Sequence, residues 1–190
     1  MKIVCISGSP RKNGNCITMM QEIVNIAEKA NAEIQNINLN QLNYRGCQAC
    51  MSCKTGKEDC VLDDDLKDVL TAIKDCDVVA LASPVYFGEV TAQMKGLIDR
   101  MYAYLVPNFK TAETPGRIAP GKTVICILPQ GQPDEKMFGD IFPKYDNFLK
   151  FMGFSNTHLV RACGVMEAGA VKNREDLLEK VRSIAQNIIQ

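Results

Sequence analysis

Ile3-Val4-Cys5-Ile6-Ser7-Gly8-Ser9-Pro10-Arg11-Lys12-Asn13-Gly14-Asn15 is the stretch that decides the fold. The apolar run Ile3 to Ile6 does not alternate, which is how a parallel strand covered on both faces reads. A loop with two glycines follows, then an amphipathic helix through Met20, Ile23, Val24 and Ala27. Residues 32–40 place Ile37 and Leu39 among polar neighbours, as in a less buried edge strand. Asp63-Asp64-Asp65 then cap a helix carrying Leu66, Val69, Leu70 and Ile73, since acidic groups favour the positive helix start. A second buried run, Val78-Val79-Ala80-Leu81-Ala82, leads through Ser83–Gly88 to a helix over Met94, Leu97, Ile98, Met101 and Leu105. Residues 106–120 hold three prolines and form a long connection, of the kind that serves as a lid or contact surface. Thr123–Leu128 is a third buried strand, followed by Pro129-Gln130-Gly131-Gln132-Pro133 and a helix from about Asp134 to Met152, interrupted by Pro143. A strand near 157–162 precedes a last helix with Leu178, Val181, Ile184, Ala185 and Ile188 on one face. Five strands alternating with five helices specify a doubly wound α/β sheet, in one domain spanning 1–190.

Composition narrows the function. The 190 residues carry 22 basic and 22 acidic side chains, so no overall field draws nucleic acid or an anionic membrane. No apolar run approaches a membrane span, and Met1–Ile6 is too short for a signal peptide. Nine cysteines, an odd number scattered through apolar segments, argue against a secreted disulfide framework and place the chain in the cytoplasm. Cys5, Cys16, Cys76, Cys126 and Cys163 read as small core or loop residues.

The other four cysteines are different. Cys47, Cys50, Cys53 and Cys60 fall in a cysteine-rich segment, 43–62, inserted after the second strand, with gaps of two, two and six residues. Two-residue gaps let thiolates converge from one tight turn, and a fourth a short loop away suits the corners of a cubane iron–sulfur cluster. Zinc is the competing occupant, although its usual pattern is two separated Cys-x2-Cys pairs or one pair with histidines, and the chain's one histidine is His158. Free or redox-active thiols are the third reading.

In a doubly wound sheet, ligands bind beyond the carboxyl ends of the strands at the topological switch point. The loop after the first strand suits an anion. Gly8 and Gly14 permit close backbone approach, Ser9 and Asn15 offer side-chain donors, and Arg11 adds a fork of positive charge. The helix starting near Asn15 turns free N–H groups to the same place, and Met1–Gln21 contains no acidic residue. The bland reading is a solvated basic turn. The spacing is neither a dinucleotide fingerprint nor a Walker loop. Cys5 and Arg11 match the Cys-x5-Arg of cysteine phosphatases, but Cys5 lies mid-strand and Lys12 stands where those enzymes carry Ser or Thr. The loop Ser83–Gly88 suits a flat heteroaromatic ring, with Pro84 stiffening the backbone and Tyr86 and Phe87 offering ring faces or edges; a core Tyr–Phe pair is the alternative.

Three motifs together resemble the iron–sulfur flavoproteins, a branch of the flavodoxin-like NAD(P)H-dependent FMN reductases. They are Gly8-Ser9-Pro10-Arg11-x-x-Gly14-Asn15, the Ser83-Pro84-Val85-Tyr86 loop running into Thr91-Ala92-Gln93-Met94-Lys95, and the compact cysteine motif. The resemblance implies a flavodoxin-like five-stranded parallel sheet in the order 2-1-3-4-5 with helices on both faces. It also implies non-covalent FMN, a 4Fe–4S cluster on Cys47, Cys50, Cys53 and Cys60, and a homodimer or homotetramer. Ser9, Arg11, Asn13, Gly14 and Asn15 would hold the FMN phosphate, and Pro84, Val85, Tyr86, Phe87 and Gly88 the isoalloxazine. Electrons would pass from a donor such as ferredoxin or NAD(P)H to a small-molecule acceptor. Cys16 departs from the pattern, standing where the phosphate loop commonly has Ser or Thr. Its place near a helix N-terminus beside Arg11 and Lys12 predicts a lowered thiol pKa in the flavin-free protein. The loop Pro129–Gln132 is also less typical. The alternative reading is an NAD(P)H-dependent FMN or quinone reductase whose cysteines are free or hold zinc.

Overall fold

The computed structural model describes residues 1–189. Five parallel strands, β1 (Lys2–Ser7), β2 (Glu33–Asn38), β3 (Val78–Ala82), β4 (Thr123–Pro129) and β5 (Asn156–Ala162), form one sheet in the order β2-β1-β3-β4-β5, as the resemblance implies. Helices α1 (Asn15–Lys29) and α6 (Glu175–Ile188) cover one face. On the other lie α3 (Leu66–Asp75), α4 (Ala92–Arg100) and α5 (Ile141–Met152). The period-two pleat divides the apolar runs between two cores. Val4, Ile6, Val79, Leu81, Val124 and Cys126 face α3, α4 and α5, whereas Ile3, Cys5, Val78, Ala80, Ile125 and Ile127 face α1 and α6. Because both sides are filled, β1, β3 and β4 need apolar residues throughout. No helix among the described residues is long and apolar enough to cross a membrane.

α5 begins at Ile141, not near Asp134, and residues 135–140 form turns instead. Pro143 is therefore the third residue of the helix and no interruption: an N–H in the first turn has no intrahelical acceptor, so proline removes nothing there.

α4 fixes the layout of the functional regions. Its N-cap Thr91 accepts from the Met94 N–H and donates its own hydroxyl proton to the Gly8 carbonyl at 2.8 Å, while its N–H donates to Ser83 Oγ at 2.9 Å. The helix start is thus bolted to the loops after β1 and β3. Gly8 serves this joint, because a Cβ there would lie 2.8 Å from Thr91 Oγ1 and 2.9 Å from Met94 Cβ. The expectation that Gly8 opens space for an anion gives way to helix packing. Nine residues later, about 14 Å along the axis, α4 ends at Arg100 beneath the cysteine segment.

The short helix α2 (Ser52–Thr55) lies inside that segment. Both ends of the segment are tied together by the acidic run. Asp65 Oδ2 accepts from the Asn43 N–H at 2.6 Å, and Asp64 Oδ2 accepts from the Arg45 N–H at 3.2 Å. Tyr44 packs on α4 where Gly96 leaves room, and its hydroxyl donates to the Gln93 carbonyl. The capping role expected of the aspartates is met by Asp64, whose Oδ1 accepts from the Leu66 N–H.

Candidate functional site

A cleft opens at the carboxyl ends of β1, β3 and β4. It is lined by Ser9, Arg11, Gly14, Asn15, Cys16, Pro84, Val85 and Tyr86, together with Pro129, Gly131, Val165 and Met166. The space between its walls, open mouth included, is about 580 Å³, within the roughly 300–1,000 Å³ of small-molecule clefts. No side chain caps the start of α1, so its first-turn N–H groups are free to face an anion. Ser9 is buried, and its Oγ accepts from the Arg11 N–H at 3.2 Å, which leaves its own proton to donate. Arg11 lies at the rim and spends one N–H on the Met166 carbonyl at 2.9 Å; the rest of its fork is unspent.

Several expected contacts are placed otherwise. The Asn15 side chain is not available to a ligand. Its Nδ2 donates to the carbonyls of Val165 and Glu167 and its Oδ1 accepts from the Val171 N–H, so it staples the segment after β5 over the loop. What Asn15 can offer an anion is its backbone N–H. Asn13 and Phe87 are exposed and Gly88 half-buried, and all three lie outside the cleft lining. Phe87 sits at the tip of a small hairpin (Val85–Tyr86 against Glu89–Val90) with φ +53°, and this left-handed backbone turns its ring fully into solvent. The hairpin is held from α5, since Glu89 accepts from Tyr145 Oη at 3.0 Å and pairs with Lys144. Cys16 corrects a further expectation. It is 1% exposed, and burial drives its thiol well above the ordinary value, outweighing the helix start. Cys5 is also buried and pushed up to about 12, mainly by burial, as a structural strand residue and not a nucleophile.

The four motif cysteines line one pocket, with Gln48, Ala49, Met51, Val61, Leu62, Arg100 and Tyr102. Left-handed backbone at Ala49 (φ +51°) and Met51 (φ +59°) curls Cys47, Cys50 and Cys53 around a tight turn. Hydrogen bonds from the Ser52 backbone and hydroxyl hold the exposed Cys50 thiol below its usual range, which favours the thiolate a metal needs. No group of three His, Cys, Asp or Glu side chains among the described residues is arranged to hold a single metal ion.

Beneath this pocket lie three cations. Arg100 is wholly buried and pairs with Asp64 at 2.8 Å. Lys54, also buried, donates to the carbonyls of Tyr102 and Leu105 at 2.7 and 2.6 Å and lies over the Tyr102 ring. Burial lowers its pKa, while nearby Cys53 opposes the shift. Arg117 Nη1 donates to the carbonyls of Ala103, Glu58 and Cys53 at 2.7, 2.8 and 3.2 Å. Among the described residues neither Lys54 nor Arg117 has a carboxylate partner. A buried cation such as Lys54 is costly without a counter-charge, and four thiolates, with any metal group they share, would supply one. The residues fit a cluster in donor set and in charge.

Sequence reasoning missed these cations and the roof formed by Val165 and Met166. Arg100 did carry a signal, lying three residues after Leu97 on the stripe that buries Met94, Leu97 and Met101. Lys54 and Arg117 carried none, because their partners are distant in sequence.

A family model for NADPH-dependent FMN reductase matches residues 1–128. An iron-sulfur flavoprotein of Clostridioides difficile is 31% identical over 195 residues, covering 99% of this chain and 76% of that protein. One from Archaeoglobus fulgidus is 39% identical over 104 residues, or 55% of this chain and 47% of the relative. The matched stretch spans about half the length of this and the next such relatives. An NAD(P)H:quinone oxidoreductase from Methanothermobacter marburgensis has the same fold, with a TM-score of 0.77 at 18% identity over 99% of this chain and 96% of that one.

Proposed function

The chain belongs to the NADPH-dependent FMN reductase family and to its iron–sulfur flavoproteins, and we propose that it is an electron-transfer flavoprotein with FMN in the cleft and a 4Fe–4S cluster on Cys47, Cys50, Cys53 and Cys60. The observation that carries the reading is the four-thiol pocket set over three cations, of which the buried Lys54 and the half-buried Arg117 lack carboxylates. Bound FMN would supply one- and two-electron chemistry and the cluster single-electron transfer, between a donor such as ferredoxin or NAD(P)H and a small-molecule acceptor. The chain's own work is to bind and orient. Ser9, Arg11 and the first-turn N–H groups of α1 would take the phosphate, and Pro84, Val85 and Tyr86 would flank the ring beside Pro129 and Gly131. The gaps of two, two and six residues between the four cysteines suit the corners of a cubane better than the two separated pairs usual for zinc.

The absorption spectrum of anaerobically purified protein, with iron, sulfide and zinc analysis, tests the assignment. Structured flavin bands over a broad brown shoulder, with iron and sulfide present, are expected. Flavin alone, with zinc or no metal, would instead establish the cluster-free FMN or quinone reductase.

Arg11 gives a second test. Arg11→Ala is expected to weaken FMN by about ten- to a hundredfold, the roughly 1.5–3 kcal/mol of a charge-assisted bond. Riboflavin, which lacks the phosphate, should lose little. Fluorescence titration with both ligands reads the difference, and equal losses would make Arg11 a support for the Met166 segment only.

A further inference from the structure

We propose that Arg100 is a positioning residue that raises the reduction potential of the group held by the four cysteines, acting through the sulfur of Cys60. The proposal rests on the cluster reading above. Arg100 Nε donates to Cys60 Sγ at 3.0 Å. The rest of the guanidinium is fixed by Asp64 Oδ2 and the Arg45 carbonyl on Nη1 and by the Leu62 carbonyl on Nη2. A side chain with no exposure and partners on every nitrogen cannot swing away, so its charge stays beside one ligand of the site.

The direction follows from charge. Adding an electron to a four-thiolate group makes it more negative. A positive neighbour and an N–H aimed at a ligand sulfur both favour the more negative form, and hydrogen bonds to sulfur and local charge are among the features that set such potentials. Lys54, which also lies beside the Cys53 thiol, and Arg117 add charge from below while donating to backbone carbonyls. Asp64 works against Arg100. Burial pushes its carboxyl up, yet the Arg100 hydrogen bond and the N–H groups of Arg45 and Leu66 hold it below the usual range, so it is anionic at neutral pH. Asp64 therefore offsets part of the field that Arg100 imposes.

Two substitutions of opposite sign separate tuning from scaffolding. Lysine at 100 keeps a charge but loses the fork, including the N–H on Cys60. Arg100→Lys should lower the potential of the iron–sulfur absorbance in an anaerobic spectroelectrochemical titration. Asp64→Asn removes the opposing charge at nearly the same volume and should raise the potential. It gives up one acceptor, which is tolerable if its oxygen keeps the Arg45 and Arg100 N–H groups and its nitrogen replaces the Oδ1 that takes the Leu66 N–H. The flavin potential should stay in place in both, because the cleft lies at the far end of α4. An unchanged potential in Arg100→Lys, or shifts of the same sign in both variants, overturns the proposal. If Arg100→Lys fails to hold iron, Asp64→Asn decides alone: a raised potential supports the tuning role and an unchanged or lowered one overturns it. Iron and sulfide assays on the wild-type protein come first, and their absence there would sink the cluster reading, and this proposal with it. A cluster present with an unmoved potential would sink the proposal alone.

Discussion

Replacing Cys50 or Cys53 by alanine is expected to abolish the cluster and leave FMN in place. Each substitution removes one of the four proposed ligands, all lining one pocket, and no other Cys or His lines that pocket to take its place. The flavin should persist because no motif cysteine borders the cleft. The polypeptide should persist as well, since Asp64 and Asp65 close the ends of the segment through the Arg45 and Asn43 N–H groups without any metal. Iron, sulfide and flavin per chain in anaerobic protein check the result. Wild-type iron content in Cys50→Ala would remove Cys50 from the ligand set, and zinc in place of iron in the unmutated protein would remove the cluster altogether.

The separation behind that expectation also shapes how the sites can communicate. α4 starts at the joint of Gly8, Ser83 and Thr91 and ends at Arg100, so one rigid helix spaces the cleft from the thiol pocket. A change at one end stays local, because the element between them is firmly packed, its Met94 and Leu97 wholly buried. The structure accordingly invests its buried charge at the thiol end and its free N–H groups at the other.

The sheet was legible because its signals are local. Ile3–Ile6, Val78–Ala82 and Thr123–Leu128 announce covered strands by lacking alternation, and the cysteine spacing announces a shared centre within fourteen residues. Errors arose where a local signal met a distant partner. Cys16 beside a helix start and two cations predicts a lowered thiol pKa, but the core between α1 and the sheet closes over it, and desolvation wins. Asn15 suggests an amide turned to a ligand, yet carbonyls some 150 residues away claim it. Gly8 suggests room for an anion, yet Thr91 and Met94 occupy that room. Arg117, whose carbonyl partners span positions 53 to 103, is invisible to any periodicity.

Gly116→Ala is expected to destabilise the protein by about 3 kcal/mol, the upper end of the overpacking range, and to empty the thiol pocket of metal. A Cβ at 116 would lie 2.0 Å from the Met152 carbonyl oxygen and 2.2 Å from its carbon. Both are backbone atoms at the end of α5, so no rotamer change relieves the clash. The neighbouring bonds leave little slack: Arg117 N–H donates to the Tyr104 carbonyl at 2.6 Å, and Ile118 N–H to that same Met152 carbonyl at 3.1 Å. Gly116 also pairs with Leu105, which anchors the long connection of residues 106–120. The strap must lift, and Arg117 lifts with it, withdrawing its N–H groups from the carbonyls of Cys53 and Glu58 beneath the thiols. Gly46→Ala supplies the control. It lies beside Cys47, and its new methyl meets nothing within 4 Å, so its effect should stay within about 0.5 kcal/mol. Denaturant unfolding with iron analysis of both variants reads the contrast. A wild-type midpoint and full iron in Gly116→Ala would show that the strap absorbs the methyl without moving Arg117, and would break the link between this connection and the thiol pocket.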